Sequence, residues 1–146
     1  MSTLRDCLAF HHVGFACTDL DAEERIFACL GYTREGPDFE DRVQGIRGRF
    51  LACGGPRLEL LSELPDSAVL APWLRRGVRM YHLAYEAADF ARADNAIAAL
   101  GAECVVAPVS AVAFGGRNIC FYMLPNGFLI ELIEAPYEPR SVDVLS

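Results

Sequence analysis

The chain has 146 residues, a length that suits one domain or two short modules sharing a core. Hydrophobic residues make up 53% and charged residues 23%, a globular balance that excludes a disordered chain. Thirteen basic and twenty acidic side chains give a net charge of −7, which opposes binding to nucleic acid.

Signals for secretion or membrane insertion are missing from the sequence. The first six residues are polar, and no stretch approaches the roughly 18–20 apolar residues that cross a bilayer. The 6 cysteines are scattered without CxxC spacing, which argues against a disulfide framework or a zinc knuckle. We therefore expect a cytoplasmic protein with reduced cysteines and no membrane partner.

The first half of the chain predicts the element order βαβββ. An apolar strand at residues 10–17 precedes Asp19, a typical helix N-cap, and the following helix ends at Leu30 and Gly31. The remaining strands are predicted at residues 32–35, at residues 47–53 and around Glu59. Residues 65–67, followed by residues 68–76, predict a capped linker helix.

The second half repeats this pattern, with strands at residues 80–87, 103–107 and 118–123 and a last strand around Glu131. The equivalent pairs are His12 and His82, Asp19 and Asp89, Gly31 and Gly101, and Glu59 and Glu131. The first three pairs are 70 residues apart without a gap, and the glutamates are 72 apart because the loops gained two residues. This agreement indicates a duplication. The sequence thus predicts an α+β fold of tandem βαβββ modules. Their bounds are residues 9–64 for the first module, 65–78 for the linker helix, 79–135 for the second module and 136–146 for a tail.

Four ligand-type residues occupy matching positions of the two copies. His12 and His82 lie on the first strand of each module, and Glu59 and Glu131 lie on the last strand inside apolar runs. An ionised carboxylate in such a run costs several kcal/mol unless it is paired or bound to a cation. Because equivalent strands meet near a pseudo-twofold axis, the four side chains are predicted to hold one divalent ion.

Other polar and aromatic residues have simpler interpretations. Strand alternation predicts that His11 points away from His12 as a half-exposed residue, and that Tyr81 and Tyr85 lie on the opposite pleat from His82 as core or interface aromatics.

Two arginines are candidates for binding an anionic substrate. Arg117 follows Gly115 and Gly116, which form either a simple turn or a mobile lid that carries the arginine to a carboxylate or phosphate. Arg47 could meet the same group from the sheet.

The residues that form the predicted site also carry a family resemblance. Residues 10–20, which read Phe-His-His-Val-Gly-Phe-Ala-Cys-Thr-Asp-Leu, and residues 126–133, which read Asn-Gly-Phe-Leu-Ile-Glu-Leu-Ile, resemble the opening and closing segments of the vicinal oxygen chelate superfamily. This superfamily includes glyoxalase I, methylmalonyl-CoA epimerase, extradiol dioxygenases and bleomycin-resistance proteins. The resemblance implies a curved mixed sheet around a metal-binding cavity, a homodimer, and metal ligands at His12, Glu59, His82 and Glu131.

Within the superfamily, the epimerase branch is the most similar. Residues 43–47, 58–61 and 65–67 and the Trp73-Leu74 pair resemble its segments. Bacterial epimerases carry carboxylates just before Gln44 and three residues after Gly45, where this chain has Val43 and Gly48. Losing the second of these, a proposed catalytic base, weakens the case for two-base inversion of methylmalonyl-CoA.

The sequence therefore predicts a metal-dependent isomerase or lyase acting on a small carbonyl or acyl-CoA compound. The cation, whether Co, Ni, Mn, Zn or Mg, would act as a Lewis acid that stabilises an enolate after removal of a proton α to a carbonyl. Glu131 is the first candidate for the base, and Glu59 is the second. The alternatives are an extradiol-type dioxygenase and a non-catalytic binding protein of the drug-sequestering kind.

Overall fold

The computed structural model describes residues 4–136 of the chain. The strands are β1 (Leu8–Ala16), β2 (Thr33–Asp41), β3 (Ile46–Ala52), β4 (Leu58–Glu63), β5 (Met80–Ala87), β6 (Glu103–Ser110), β7 (Asn118–Met123) and β8 (Leu129–Glu134). The helices are α1 (Leu20–Ala28), α2 (Ala71–Arg75) and α3 (Phe90–Ala99), with short 3₁₀ turns at Leu4–Cys7 and Val112–Phe114. None of the helices within the described residues is long and apolar enough to cross a membrane.

The eight strands form one curved mixed sheet in the order β2-β3-β4-β1-β5-β8-β7-β6. The first strands of the two modules, β1 and β5, pair antiparallel at the centre, and each pairs in parallel with the last strand of its own module. The predicted α+β fold of tandem βαβββ modules is confirmed. The four central strands are those that carry the predicted metal ligands.

The repeated helix signals work as predicted. The carboxylate of Asp19 accepts from the backbone N–H of Ala22, and that of Asp89 accepts from Arg92, so both helices begin at side-chain N-caps. Each helix packs one apolar side on its own half of the sheet, which leaves the other face of the sheet free to line a cavity.

The edge strands and the linker differ from the predicted bounds. Strands β2 and β6 run past residues 35 and 107 because Pro37 and Pro108 lie on edge strands, where a missing N–H costs no ladder hydrogen bond. The linker helix α2 has five residues instead of nine and no side-chain cap. Pro72 lies in its first turn, where the N–H that a proline lacks would have no intrahelical partner. The predicted module bounds stay a prediction, and residues 137–146 of the predicted tail lie outside the described residues.

A buried carboxylate, Asp41, connects the two modules at the cavity mouth. Its Oδ1 accepts from the backbone N–H groups of Val43 and Gln44, both at 3.1 Å. Its Oδ2 accepts from the Gln44 side-chain amide at 2.8 Å and from the backbone N–H of Val112, in the second module, at 3.1 Å. Four N–H donors therefore offset the burial of this charge.

We expect Asp41→Asn to destabilise the protein, because an amide nitrogen in place of Oδ2 would face two donors. Two buried donors without an acceptor cost about 2–4 kcal/mol together, or a fall in Tm of roughly 5–10 °C. Thermal unfolding measures this, with the exposed Asp66→Asn as the matched control. Equal melting temperatures for the two variants would contradict the assigned role of Asp41.

Candidate metal centre

The four predicted ligands converge on one point in the middle of the sheet. His12 comes from β1, Glu59 from β4, His82 from β5 and Glu131 from β8, and all four side chains are buried. One ligand atom of each residue lies within 4.8 Å of the ligand atoms of the other three. The cross-strand pairing of equivalent positions places them there, since β1 and β5 lie side by side and β4 and β8 flank them.

The distances within the cluster are those of donors around a common centre. Nε2 of His12 lies 3.2 Å from Nε2 of His82. It also lies 3.3 Å from Oε1 of Glu59 and 3.4 Å from Oε1 of Glu131. The corresponding distances from Nε2 of His82 to the two carboxylates are 3.9 and 4.0 Å.

These residues fit a divalent cation. Donors bound to one ion at about 2.1 Å lie about 3.0–4.2 Å from one another, and the observed separations fall in that range. Oε1 of Glu131 is buried without a hydrogen-bond partner, although it faces the cluster. Two carboxylates with two neutral imidazoles carry the charge that a divalent ion neutralises.

The electrostatics of the cluster show why a cation would stabilise it. Burial, reinforced by the charge of Glu59, raises the pKa of Glu131 well above its ordinary value. Burial, followed by the charge of His12, lowers the pKa of His82 well below its ordinary value. In the absence of a cation, the cluster therefore disfavours both an ionised Glu131 and a charged His82.

Two irregularities in the central pair of strands change the predicted direction of two side chains. Along β1 the register shifts between Phe10 and His12, and along β5 it shifts opposite Gly14 and Phe15. The extra residues are His11 and Tyr81, which are equivalent positions of the two modules. A bulge of this kind interrupts strand alternation, so consecutive side chains can face the same side.

The predicted direction of His11 is therefore wrong, and so is the predicted pleat of Tyr81, whereas the place of Tyr81 in the core is confirmed. The His11 ring lies against His12, with their Nδ1 atoms 2.8 Å apart, instead of pointing away from it. Tyr81 lines the same cavity as the two ligand carboxylates and contacts the His82 ring edge to face. Strand alternation therefore assigns both side chains to the wrong side of the sheet. The adjacent pair His11-His12 is a sequence signal that could have suggested a contact between the two rings.

His11 is a half-buried residue with several protein contacts. Its backbone carbonyl accepts from Nη1 of Arg57 at 3.0 Å, and its ring meets the rings of Phe50 and Phe114 edge on. Burial, followed by the charges of His12 and Arg57, lowers the pKa of His11 to about 4. The ring is therefore neutral at physiological pH.

Gly14 provides the space that the His82 ring occupies. The two residues are paired across β1 and β5, and a Cβ on Gly14 would overlap the imidazole. A glycine within a strand often marks such a close approach, which is the signal that could have identified this position from sequence.

A cavity of about 320 Å³ opens beside the cluster. Glu59, Glu131 and Tyr81 are the titratable side chains that line it, whereas the two imidazoles lie behind the carboxylates. The other lining residues are apolar apart from Gln44, namely Val43, Ile46, Leu61, Val69, Leu70, Val106, Val109, Ala113, Phe114 and Phe121. The cavity therefore suits a small molecule that is mostly apolar and presents oxygen atoms to the cluster.

The two arginines predicted to bind substrate do not line this cavity. Arg47 pairs with Glu40 and lies in a separate polar depression beside residues 64–67. Arg117 donates to Glu86 and to the backbone carbonyls of Glu134 and Phe114, so a substrate contact would require it to leave these partners. Contact of either arginine with a substrate stays a prediction.

The space next to Gly48 is filled by a ring. A Cβ on Gly48 would overlap the ring of Phe39, which itself packs against Phe50. A carboxylate side chain at position 48 is therefore incompatible with this packing. Val43, the other position that departs from the epimerase pattern, is exposed at the cavity mouth.

Comparison with known proteins places these features in a family. A family model described as the Glyoxalase/Bleomycin resistance protein/Dioxygenase superfamily matches residues 11–121, a span that includes three of the four ligand candidates. No curated protein sequence gives a match.

Solved structures resemble the chain over most of its length. Methylmalonyl-CoA epimerase from Mycobacterium tuberculosis is 29% identical, with a TM-score of 0.72 over 87% of this chain and 88% of that one. The Streptomyces coelicolor epimerase in complex with 2-nitronate-propionyl-CoA is 28% identical, with a TM-score of 0.73 over 90% and 99%. Hypothetical protein BH1468 from Bacillus halodurans C-125 is 20% identical, with a TM-score of 0.75 over 90% and 97%, a likeness of fold alone.

We expect Gly14→Ala to destabilise the protein by displacing the His82 ring. Overpacking of this kind typically costs about 1–3 kcal/mol. In a His82→Ala background the same change should cost far less, because the overlapping ring is gone. Urea unfolding of the four proteins of this double-mutant cycle measures the coupling. Equal costs in both backgrounds would show that Gly14 acts independently of His82.

We expect Glu131→Gln to raise the Tm of the metal-free protein, by an amount that grows from pH 5 to pH 8. A carboxyl whose pKa is raised on folding loses stability as pH rises past its unfolded value of 4.5, whereas glutamine mimics its protonated form at every pH. Each unit of elevation corresponds to about 1.4 kcal/mol, or about 3–5 °C.

Thermal unfolding after chelator treatment tests this expectation. Titration of His82 in the unfolded chain is common to both proteins and cancels in the difference. Glu103→Gln, on the exposed edge strand β6, is the matched control and should show no pH trend. A metal-free Glu131→Gln protein that melts below wild type at pH 8 would contradict the electrostatic assignment.

Proposed function

Since the chain belongs to the glyoxalase/bleomycin resistance protein/dioxygenase superfamily, we propose that it is a divalent-metal enzyme that moves a proton α to a carbonyl group. His12, Glu59, His82 and Glu131 are the proposed ligands. The observation that carries the proposal is the convergence of four donor atoms, one of them an unpartnered carboxylate oxygen, at the wall of an apolar cavity.

The bound cation supplies Lewis acidity, which polarises a carbonyl oxygen and makes the neighbouring C–H bond more acidic. The chain's own residues supply the rest. The imidazoles lie behind the carboxylates and serve as fixed ligands, whereas Glu59 and Glu131 are both accessible from the cavity. A carboxylate oxygen takes the proton as the C–H electron pair moves toward the carbonyl, and it later returns that proton to carbon.

Glu131 is the first candidate for the base because its Oε1 has no hydrogen-bond partner, so it would have to loosen only from the cation to accept a proton. Glu59 belongs to the other module and approaches the cavity from the opposite side of the pseudo-twofold axis. Inversion would require one of these carboxylates to remove the proton while the other, already protonated, delivers its own proton to the opposite face of the carbon.

The proposed substrate is a small carbonyl compound or an acyl thioester. The apolar walls suit a short acyl chain, and the apolar Val43 and Val69 at the rim are exposed. Related epimerases have been seen with 2-nitronate-propionyl-CoA and with methylmalonyl-CoA. The ring of Phe39 fills the space beside Gly48 that a third carboxylate would need. Among the described residues, Glu59 and Glu131 are the carboxylates that line this cavity, so they are the proposed bases for an inversion. An Arg47 contact with the anionic part of the substrate, a homodimer and a cytoplasmic location are further proposals.

A non-catalytic binding protein is the second candidate. Its basis is the apolar lining of the cavity, since small-molecule pockets are mostly apolar with a few polar groups whether or not the bound molecule is transformed. The two candidates differ in whether the cluster binds a cation and whether a bound molecule exchanges a proton with solvent.

We expect calorimetric titration to show about one tight site for at least one of Co²⁺, Ni²⁺, Mn²⁺, Zn²⁺ and Mg²⁺, and His12→Ala to abolish it. In D₂O the loaded protein should incorporate deuterium α to the carbonyl of methylmalonyl-CoA or of a hemithioacetal, as measured by mass spectrometry. Glu131→Gln and Glu59→Gln should each slow this exchange by about 10²–10⁴-fold at saturating metal.

The exposed Glu103→Gln is the control and should exchange at the wild-type rate. Ion binding that His12→Ala leaves unchanged would refute the metal site and favour the binding protein. Oxygen uptake with a catechol, without deuterium incorporation into any carbonyl substrate, would instead indicate a dioxygenase.

A further inference from the structure

We propose that His11 is a positioning residue that fixes the ring of His12 with its Nε2 lone pair toward the metal centre. The inference rests on the proposed metal site and goes beyond it, because it assigns a role to a residue that does not touch the cation or the substrate. The observation that carries it is the close contact between Nδ1 of His11 and Nδ1 of His12, at 2.8 Å.

Two ring nitrogens at this distance share one proton. If Nε2 of His12 holds a cation, the neutral His12 ring must carry its proton on Nδ1. Nδ1 of His12 is then the donor, and Nδ1 of His11 must be the acceptor, which places the proton of His11 on its Nε2. The contact therefore favours the His12 tautomer protonated on Nδ1, which leaves the Nε2 lone pair free for a metal.

Aromatic packing holds both rings in this arrangement. The His12 ring is stacked on Phe114, with centroids 5.9 Å apart and planes inclined by 17°. The His11 ring meets Phe114 and Phe50 at steep angles of 87° and 78°. Rotation of either imidazole would require these rings to move, so the N–H···N contact is enforced by packing and not only by its own strength.

The outer side of His11 faces a charged pair. Nε2 of His11 lies 3.8 Å from Oε1 of Glu86, and Oε2 of the same carboxylate accepts from Nη1 of Arg117 at 3.0 Å. Arg117 is fixed in turn by the backbone carbonyls of Phe114 and Glu134. A negative charge on this side favours the ring N–H of His11 at Nε2, which agrees with the proton placement required above.

The second module provides an internal comparison. Tyr81 occupies the position equivalent to His11, also in a bulge and also against the ring of a ligand histidine. Nδ1 of His82, however, is buried without a hydrogen-bond partner. The two modules therefore share the bulge but differ in the residue placed there, and only His12 receives an acceptor.

The test measures Co²⁺ affinity by competition with a chelator. Outer partners of metal-bound histidines typically change affinity by about 10–100-fold, and we expect a loss of that size for His11→Phe, which keeps a ring but removes the acceptor. His11→Asn, whose amide oxygen can accept from His12, should recover affinity to within about threefold of wild type. Glu86→Gln should cause a smaller loss than His11→Phe.

The exposed Glu103→Gln is the control, and we expect it to leave Co²⁺ affinity within about threefold of wild type. If His11→Phe binds Co²⁺ within threefold of the wild-type affinity while His12→Ala binds no ion, the proposed role of His11 is overturned and the metal site is not. Failure of wild type to bind any divalent ion would overturn both.

A second measurement uses wild-type protein alone, so it does not depend on the folding of a variant. In the Zn²⁺-loaded protein labelled with ¹⁵N-histidine, we expect a scalar coupling between the two Nδ1 atoms across the hydrogen bond and a protonated Nε2 on His11. A merely structural role would not require either signal. A His11 ring protonated on Nδ1, without that coupling, would overturn the inference.

Discussion

The burial of two carboxylates beside two imidazoles at the centre of an apolar sheet is the constraint on which the rest of the site depends. Glu59 and Glu131 lie in strands whose other residues are mostly buried, and both glutamates are themselves almost fully buried. Burial of such charges costs several kcal/mol unless an opposite charge compensates. A cation among the four side chains would remove this cost, and for this reason stability and the proposed metal binding depend on the same four residues.

The duplicated fold supplies the convergence that the cluster needs. Each module places its histidine on the first strand and its glutamate on the last, and these strands pair in parallel within the module. Antiparallel pairing of β1 with β5 then joins the two pairs. A half of this size could not surround a cation alone, whereas two halves provide four donors and a cavity. The Asp41 carboxylate contributes to the same end, because it holds the mouth of the cavity with donors from both modules.

The sequence predicted the features that repeat and missed those that depend on packing. The equivalences of His12 with His82 and of Glu59 with Glu131 are visible without coordinates, as are the caps at Asp19 and Asp89. The direction of His11 is not, because strand alternation assumes an unbroken register and the bulge in β1 breaks it. Whether Arg117 points to a substrate or to the protein likewise depends on the positions of Glu86 and Glu134, which lie far from it in sequence.

Divergence between the modules explains how a symmetric scaffold can hold an asymmetric site. Gly14 lies opposite His82, whereas its equivalent Ala84 lies opposite His12, and the His82 ring fills the space that a Cβ on Gly14 would take. The His82 ring has an unpartnered Nδ1, while the His12 ring has His11 as a partner. The position of His82 is thus set by shape, whereas that of His12 is set by packing on Phe114 together with a hydrogen bond. A shape constraint does not determine which nitrogen of His82 carries the proton. The hydrogen bond to His11 does determine it for His12, so the proposed tautomer selection acts on one side of the cluster.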